Sequence, residues 1–142
     1  MGYFYWKMFL RVPQTAPMTG EEYVKNFEKL MRADVVGGQT PEETLKMFIA
    51  ELRKEDAGAA AQYFLLDDEG KRDKWVTYLQ DIKDKQLMQK MANDLEEAKA
   101  DLESVISGSD YNFVVLDSKG DVSREVNLEL NKFSGLWKIE SI

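Results

Sequence analysis

The chain has 142 residues, 19 Lys and Arg against 26 Asp and Glu for a net charge of −7, and neither histidine nor cysteine. Its length suits one domain with a sizeable core, and 44% hydrophobic with 32% charged residues is a globular balance rather than a disordered one. The acidic excess argues against nucleic acid or an anionic membrane surface as partner, and the two missing residue types remove disulfides, zinc–thiolate sites and every histidine-dependent nucleophile or base.

The chain opens on Tyr3, Phe4, Tyr5 and Trp6, followed by Lys7, Phe9 and Arg11. A spanning helix needs about 20 apolar residues, so this run is too short to cross a bilayer. Aromatics beside Lys and Arg are the signature of the interfacial end of a membrane helix. The segment is therefore read as membrane-proximal, following an anchor further upstream, with Met1-Gly2 as added residues. The alternative is a strand or helix that packs onto the domain. Pro13 to Pro17 reads as a linker, which closes a first region of residues 1–18.

Thr19-Gly-Glu-Glu22 is a capping box, and Tyr23, Phe27, Leu30 and Met31 follow at helical spacing, predicting a helix within residues 19–39. It should end near Ala33, before Gly37-Gly38. A cone-like domain is expected over residues 40–142. Its first helix has Thr40 as N-cap, Pro41 at the first position and Glu43 closing the box, with Leu45, Phe48, Ile49 and Leu52 as its apolar stripe. Asp56 caps a short helix running through the alanines to Tyr63 and Phe64. A third stripe of Trp75, Tyr78, Leu79 and Ile82 follows the turn at Asp67-Asp68-Glu69-Gly70. Another helix is expected near Lys85 to Lys99, carrying Met88, Met91, Leu95 and Ala98.

Leu102, Val105 and Ile106 suggest a short first strand, and Tyr111 to Ile142 reads as a three-strand antiparallel meander. Tyr111, Phe113 and Val115 share one face of its first strand. Val126, Leu128 and Leu130 alternate with polar residues in the second. In the third, Trp137 and Ile139 should point inward, with Lys138 and Glu140 outward. Gly120 and Ser134-Gly135 supply the turns. Helices first and a curved antiparallel sheet last is an α+β arrangement.

Three segments, Thr40-Pro-Glu-Glu43, Asp56 to Phe64 and Gly135-Leu-Trp-Lys-Ile139, make residues 40–142 resemble the nuclear-transport-factor-two-like, or cystatin-like, cone superfamily. The likeness is greatest to uncharacterised, membrane-anchored extracytoplasmic members from bacteria. The resemblance implies N-terminal helices packed on a curved C-terminal sheet. The helical stretch from Lys71 to Lys99 is longer than in compact enzyme members, so the cone mouth should be filled or covered.

Enzymes of that superfamily place Asp, His or Tyr inside the cone, and the His-Asp pair of its dehydratases is impossible here. An isomerase-like site would have to use Tyr63, Tyr78 or Tyr111 as oxyanion donor, with Asp67 or Asp110 as base. Tyrosines at this spacing serve a core equally well. The acidic turn from Asp67 to Asp73 lacks the alternating ligands of a calcium loop and reads as a solvated turn, so no metal or other cofactor is expected. The candidate ligand or partner surface comprises Trp75, Tyr78, Met88, Met91 and Trp137, the methionines doubling as core. The expected function is a non-catalytic, extracytoplasmic, membrane-anchored domain that binds a protein or a small apolar ligand. The alternatives are a small cone-pocket enzyme of the isomerase or dehydratase kind, a cytoplasmic location, and self-association through the sheet.

Overall fold

The computed structural model of the protein describes residues 20–66, 68–101 and 108–142. Five helices precede a four-stranded antiparallel sheet, an α+β arrangement with the helices packed on a curved sheet. The helices are α1 (Gly20–Ala33), α2 (Pro41–Arg53), α3 (Ala57–Ala61), α4 (Glu69–Asp84) and α5 (Met88–Glu96). The strands are β1 (Lys99–Ala100), β2 (Asp110–Leu116), β3 (Val122–Asn131) and β4 (Leu136–Ser141), in the spatial order β1-β2-β3-β4.

Local chemistry sets the helix boundaries. Thr40 Oγ1 accepts from the Glu43 N–H at 3.1 Å, and Pro41 opens α2 where its missing N–H costs nothing. The Glu43 carboxylate closes the box on Gln39 N–H at 2.7 Å, one residue earlier than the usual reciprocal partner. Asp56 caps α3 through the Ala59 N–H. α3 stops at Ala61, three residues short of the expected end. Phe64 then leaves helical geometry to bridge β4 at Ile139. α4 and α5 are separate because Gln86, at φ 61°, turns the chain between them. The short first strand lies at Lys99–Ala100, and the stretch expected to form it, Leu102 to Ile106, falls outside the described residues.

The sheet register places Phe113 opposite Val126, Tyr111 opposite Leu128, and Leu128 opposite Ile139. Side chains directly opposite one another share a face, so these residues line the face toward the helices. Phe48 and Leu52 of α2, Leu79 of α4, and Met88 and Leu95 of α5 meet them in one core, all at most 1% exposed. An aromatic series runs through it. Phe48 meets Phe64 edge-on with centroids 5.4 Å apart, Phe64 stacks on Trp75 at 3.9 Å, and Trp75 meets Tyr78 edge-on at 5.8 Å. The series ties α2, the knee after α3, and α4 together. Truncating one of its two fully buried members, Phe48→Ala, removes packing worth about 3–5 kcal/mol.

The outer edge of β4 is paired by two loops. Trp137 N–H donates to Gly38 O, Ile139 N–H donates to Tyr63 O, and Leu65 N–H donates to Ile139 O. A bare sheet edge is thereby covered. Thr44, fully buried on α2, donates to Trp137 O at 2.9 Å and accepts from Gly38 N–H at 2.8 Å.

The opposite face of the sheet departs from the simple alternation. Lys138, expected outward, is 0% exposed. Its ammonium pairs with Asp34 Oδ1 at 2.9 Å and donates to the carbonyls of Val36 and Gln62. On the same face, Asn131 donates to Met31 O at 2.8 Å. The end of α1 and the following linker thus fold over the back of β3 and β4. Two buried polar side chains hold them there. Phe27 adds an edge-on contact to Phe133, and the Arg32 guanidinium lies 5.1 Å above the same ring. The other end of α1 stands clear, with Tyr23 63% and Val24 60% exposed.

Candidate functional site

Among the described residues, the centre of the helix-facing side of the sheet is filled by Phe48, Phe64, Leu128 and Ile139, all at most 1% exposed. An open feature lies to one side, between α2, α5 and β2. It is a groove of 510 Å³ with a floor of Leu45, Ile49, Leu95 and Phe113 and a rim of Glu42, Lys46, Arg53 and Glu96. Ala50 and Ala98 line it too, and their small side chains leave space that larger residues on these elements would occupy.

α2 supplies most of this groove because its sequence carries two adjacent stripes. Phe48 and Leu52 go down into the core, while Leu45 and Ile49 lie beside Lys46, Ala50 and Arg53 at the groove wall. α5 faces it across the cleft. The two helices are tied by an Arg53–Glu96 ion pair at 2.7 Å. Gln89 strengthens the junction by donating to the Arg53 carbonyl at 3.0 Å and to Glu55 at 3.2 Å. At the other end, the Tyr111 hydroxyl donates to Glu42 at 3.1 Å. Burial raises the Tyr111 pKa above the usual tyrosine value, and the bond to Glu42 and its charge push in the same direction. An apolar floor with a few fixed polar groups at its margin is the common composition of a small-molecule or peptide site.

Among the described residues, the candidate catalytic residues do not converge. Tyr63 is buried in the core beside β4, and burial, then the charge of Glu51, raise its pKa. Tyr78 is half-buried on α4 against Trp75. Tyr111 lies on the helix-facing side of β2, whereas Asp110, its neighbour, points to the back of the sheet. Asp110 lines a separate cleft there with Phe27 and Lys132. Asp67 lies outside the described residues, as do Tyr3, Phe4, Tyr5, Trp6, Lys7 and Arg11. Among the described residues no group of three or more acidic side chains is placed to hold a metal ion.

The candidate surface residues divide. Met88 and Met91 are core, at 1% and 3% exposure, and present nothing to a partner. Trp75 and Tyr78 are half-buried along the outer side of the aromatic series, where the Lys74 ammonium lies 5.1 Å from the Trp75 ring centre. Trp137 is half-buried on the helix-facing side, edge-on to Tyr111 with centroids 6.4 Å apart. The groove residues Glu42, Lys46, Arg53 and Glu96 were not legible as a site, because isolated charges on helices look like solvated faces. The available signal was the pair of alanines, Ala50 on α2 and Ala98 just after α5, close to apolar positions.

No known protein family, curated protein or solved structure matches this chain. Among the described residues, no helix is long and apolar enough to cross a membrane.

Proposed function

We propose that the protein is a non-catalytic binding domain whose groove between α2, α5 and β2 takes a small apolar ligand or the apolar side of a protein segment. One observation carries this reading. The central face of the sheet is filled by fully buried side chains, while a groove of 510 Å³ with a Leu, Ile and Phe floor stays open beside it. Apolar surface left in a concave, polar-rimmed setting favours an apolar occupant, at about 25 cal/mol per Å² removed from water. The aromatic and basic run from Tyr3 to Arg11 supports placing the domain beside a membrane, and an extracytoplasmic side is what the resemblance to membrane-anchored bacterial members implies. Likeness to the cystatin-like cone superfamily fits the element order but rests on short structural motifs. The rival enzyme reading lacks comparable support, since among the described candidates Tyr63, Tyr78 and Tyr111 lie on separate segments and Asp110 lies on the opposite face of the sheet from Tyr111.

The test uses 8-anilinonaphthalene-1-sulfonate as an apolar fluorescent probe on the full chain. Saturable fluorescence enhancement is expected for the native protein, together with its loss in Ala50→Trp. That substitution fills the groove from an exposed helix position and should leave the melting temperature unchanged. Enhancement that persists undiminished in a folded Ala50→Trp variant rules out the groove as the binding face.

A further inference from the structure

Residues 20–36, α1 with the first part of its linker, cross the back of β3 and β4 without entering the main core. Among the described residues, that core draws on α2 to α5 and the sheet and takes no side chain from α1. Met31 is the one buried residue of α1. The ties to the sheet are Phe27 and Arg32 on the Phe133 ring, the Asn131 amide on Met31 O, and the Lys138 ammonium on Asp34 and Val36 O.

Beneath this segment the fit is loose. A cavity of 230 Å³ separates Leu30, Asp34 and Val36 from Gln62, Leu66 and Arg72 of the body. Atoms that line a void lose the contacts that close packing gives. Asp34 Oδ1 takes the Lys138 ammonium and the Val36 N–H, but Oδ2 is buried with no hydrogen-bond partner. A buried carboxylate oxygen without a donor carries a desolvation cost that water removes. The Lys138 ammonium, 0% exposed, carries a similar cost, repaid in part by its acceptors. Closure therefore holds two charged groups away from water in return for little apolar burial.

The segment ends at a fixed point. Gly38 N–H donates to Thr44 Oγ1 at 2.8 Å, and Gly38 O accepts from Trp137 N–H at 2.9 Å. Just before it, Gly37 sits at φ 146°, a backbone shape that glycine adopts without strain. We propose that residues 20–36 are a strap that lifts off the back of the sheet about Gly37 as one unit, while α2 to α5 and the sheet stay folded. Segments with few buried apolar contacts open in this way at free energies below that of global unfolding. Opening hydrates Asp34 and Lys138 together and uncovers the polar back of β3 and β4 around Asn131 and Lys138. Residues 1–19 join the body through this strap, so whatever engages them acts on it first.

The chain has no cysteine, so a single introduced thiol reports the opening of its own site. Met31→Cys reports the strap, and Val126→Cys, at a position 0% exposed on β3, reports the core. With 5,5′-dithiobis(2-nitrobenzoate) under native conditions, Met31→Cys should react at least about 100-fold faster than Val126→Cys. Adding Phe27→Ala removes the contact with Phe133 and should speed the Met31→Cys reaction about tenfold while leaving Val126→Cys unchanged. Unravelling of α1 alone exposes Met31 but leaves Lys138 covered, so a second readout follows Lys138 in chains without an introduced thiol. N-hydroxysuccinimidyl acetate, with peptide mass spectrometry, should acetylate Lys138 faster in Phe27→Ala than in the native chain, by the same factor as the thiol reaction. Equal protection of the two thiols shows that residues 20–36 open only with the core and overturns the proposal. Acetylation of Lys138 that Phe27→Ala does not speed overturns it as well, because α1 then frays without lifting its linker.

Discussion

Lys138 is where sequence pattern and packing part company. Period-2 alternation assigns it to the wet face, and it does share that face with Glu129, its partner in register. What the alternation cannot register is a linker returning from a hundred residues upstream to cover it. The ammonium is then buried with Asp34 as counter-ion and two carbonyls as acceptors. A buried pair of this kind is weak evidence of net stability but expensive to break, because the survivor is left buried and unpaired. Lys138→Met should therefore cost about 3–5 kcal/mol in denaturant unfolding, whereas the double replacement Lys138→Met with Asp34→Leu should recover most of that loss. A single variant as stable as the native chain would mean that the pair is solvated. The pH dependence has a definite sign. Burial is the largest influence and lowers the Lys138 pKa, Asp34 pushes it back up, and the Arg72 charge lowers it again. The folded state thus holds this proton less tightly than the unfolded chain does. The resulting penalty is fully present below the lowered folded value and is relieved between that value and about 10.4, the ordinary lysine value. Stability of the native chain should rise relative to the double variant as pH climbs through that window. A flat difference across it would show that the pKa is not lowered.

At the scale of elements, the helices were readable because their caps and stripes are local. Thr40-Pro41, Asp56 and the Leu45 to Leu52 stripe lie where the sequence predicts, and the meander follows its alternation and turn residues. The departures came from contacts between distant segments. α3 ends early because Tyr63 to Leu65 pairs with the edge of β4, a tertiary demand that overrides helix continuation. The groove was not legible either, since it arises from which residues are small where two helices and a strand converge. Gly37 and Gly38 show how tightly the linker is fitted. Gly37 sits at φ 146°, and a Cβ there would lie 2.6 Å from Trp137 O. A Cβ on Gly38 would lie 2.6 Å from Glu43 Cβ and 2.7 Å from Thr44 N. Gly38→Ala should accordingly cost about 1–3 kcal/mol by overpacking against the helix backbone, read as a lower denaturation midpoint at unchanged slope. Gln86 offers the reverse case. Its left-handed φ of 61° strains a residue with a Cβ by about 1–2 kcal/mol. Gln86→Gly removes that strain but loosens the unfolded chain by about 0.4–1 kcal/mol, so a net gain of about 0.5 kcal/mol is expected. A loss of stability would show that the Gln86 side chain contributes packing of its own.

For the whole molecule, the core and its handles divide the labour. The side chains that close the interior run from Leu45 to Ile139, and α1 is fastened toward its end by Met31, Phe27 and the Asn131 bond. The beginning of α1 stands clear with Tyr23 and Val24 exposed, and residues 1–19 join the chain there. Residues Tyr3 to Leu10 include five aromatics with Met8 and Leu10, which together carry several hundred Å² of apolar side chain. A patch of that size is more than a monomer commonly leaves wet, and at about 25 cal/mol per Å² its burial is worth several kcal/mol. Lipid headgroups can accept it while Lys7 and Arg11 extend their charges outward. The net charge of −7 on the full chain works against anionic lipid, so the attraction should depend on apolar burial rather than on surface charge. Vesicles of neutral phosphatidylcholine should therefore bring the full chain up in a flotation gradient, and raising the salt should not release it. Deleting residues 1–12 should abolish flotation while leaving the melting temperature and the groove's probe binding intact. If the deletion instead unfolds the domain, those aromatics are part of its core, and the membrane-proximal reading of Tyr3 to Arg11 fails with it.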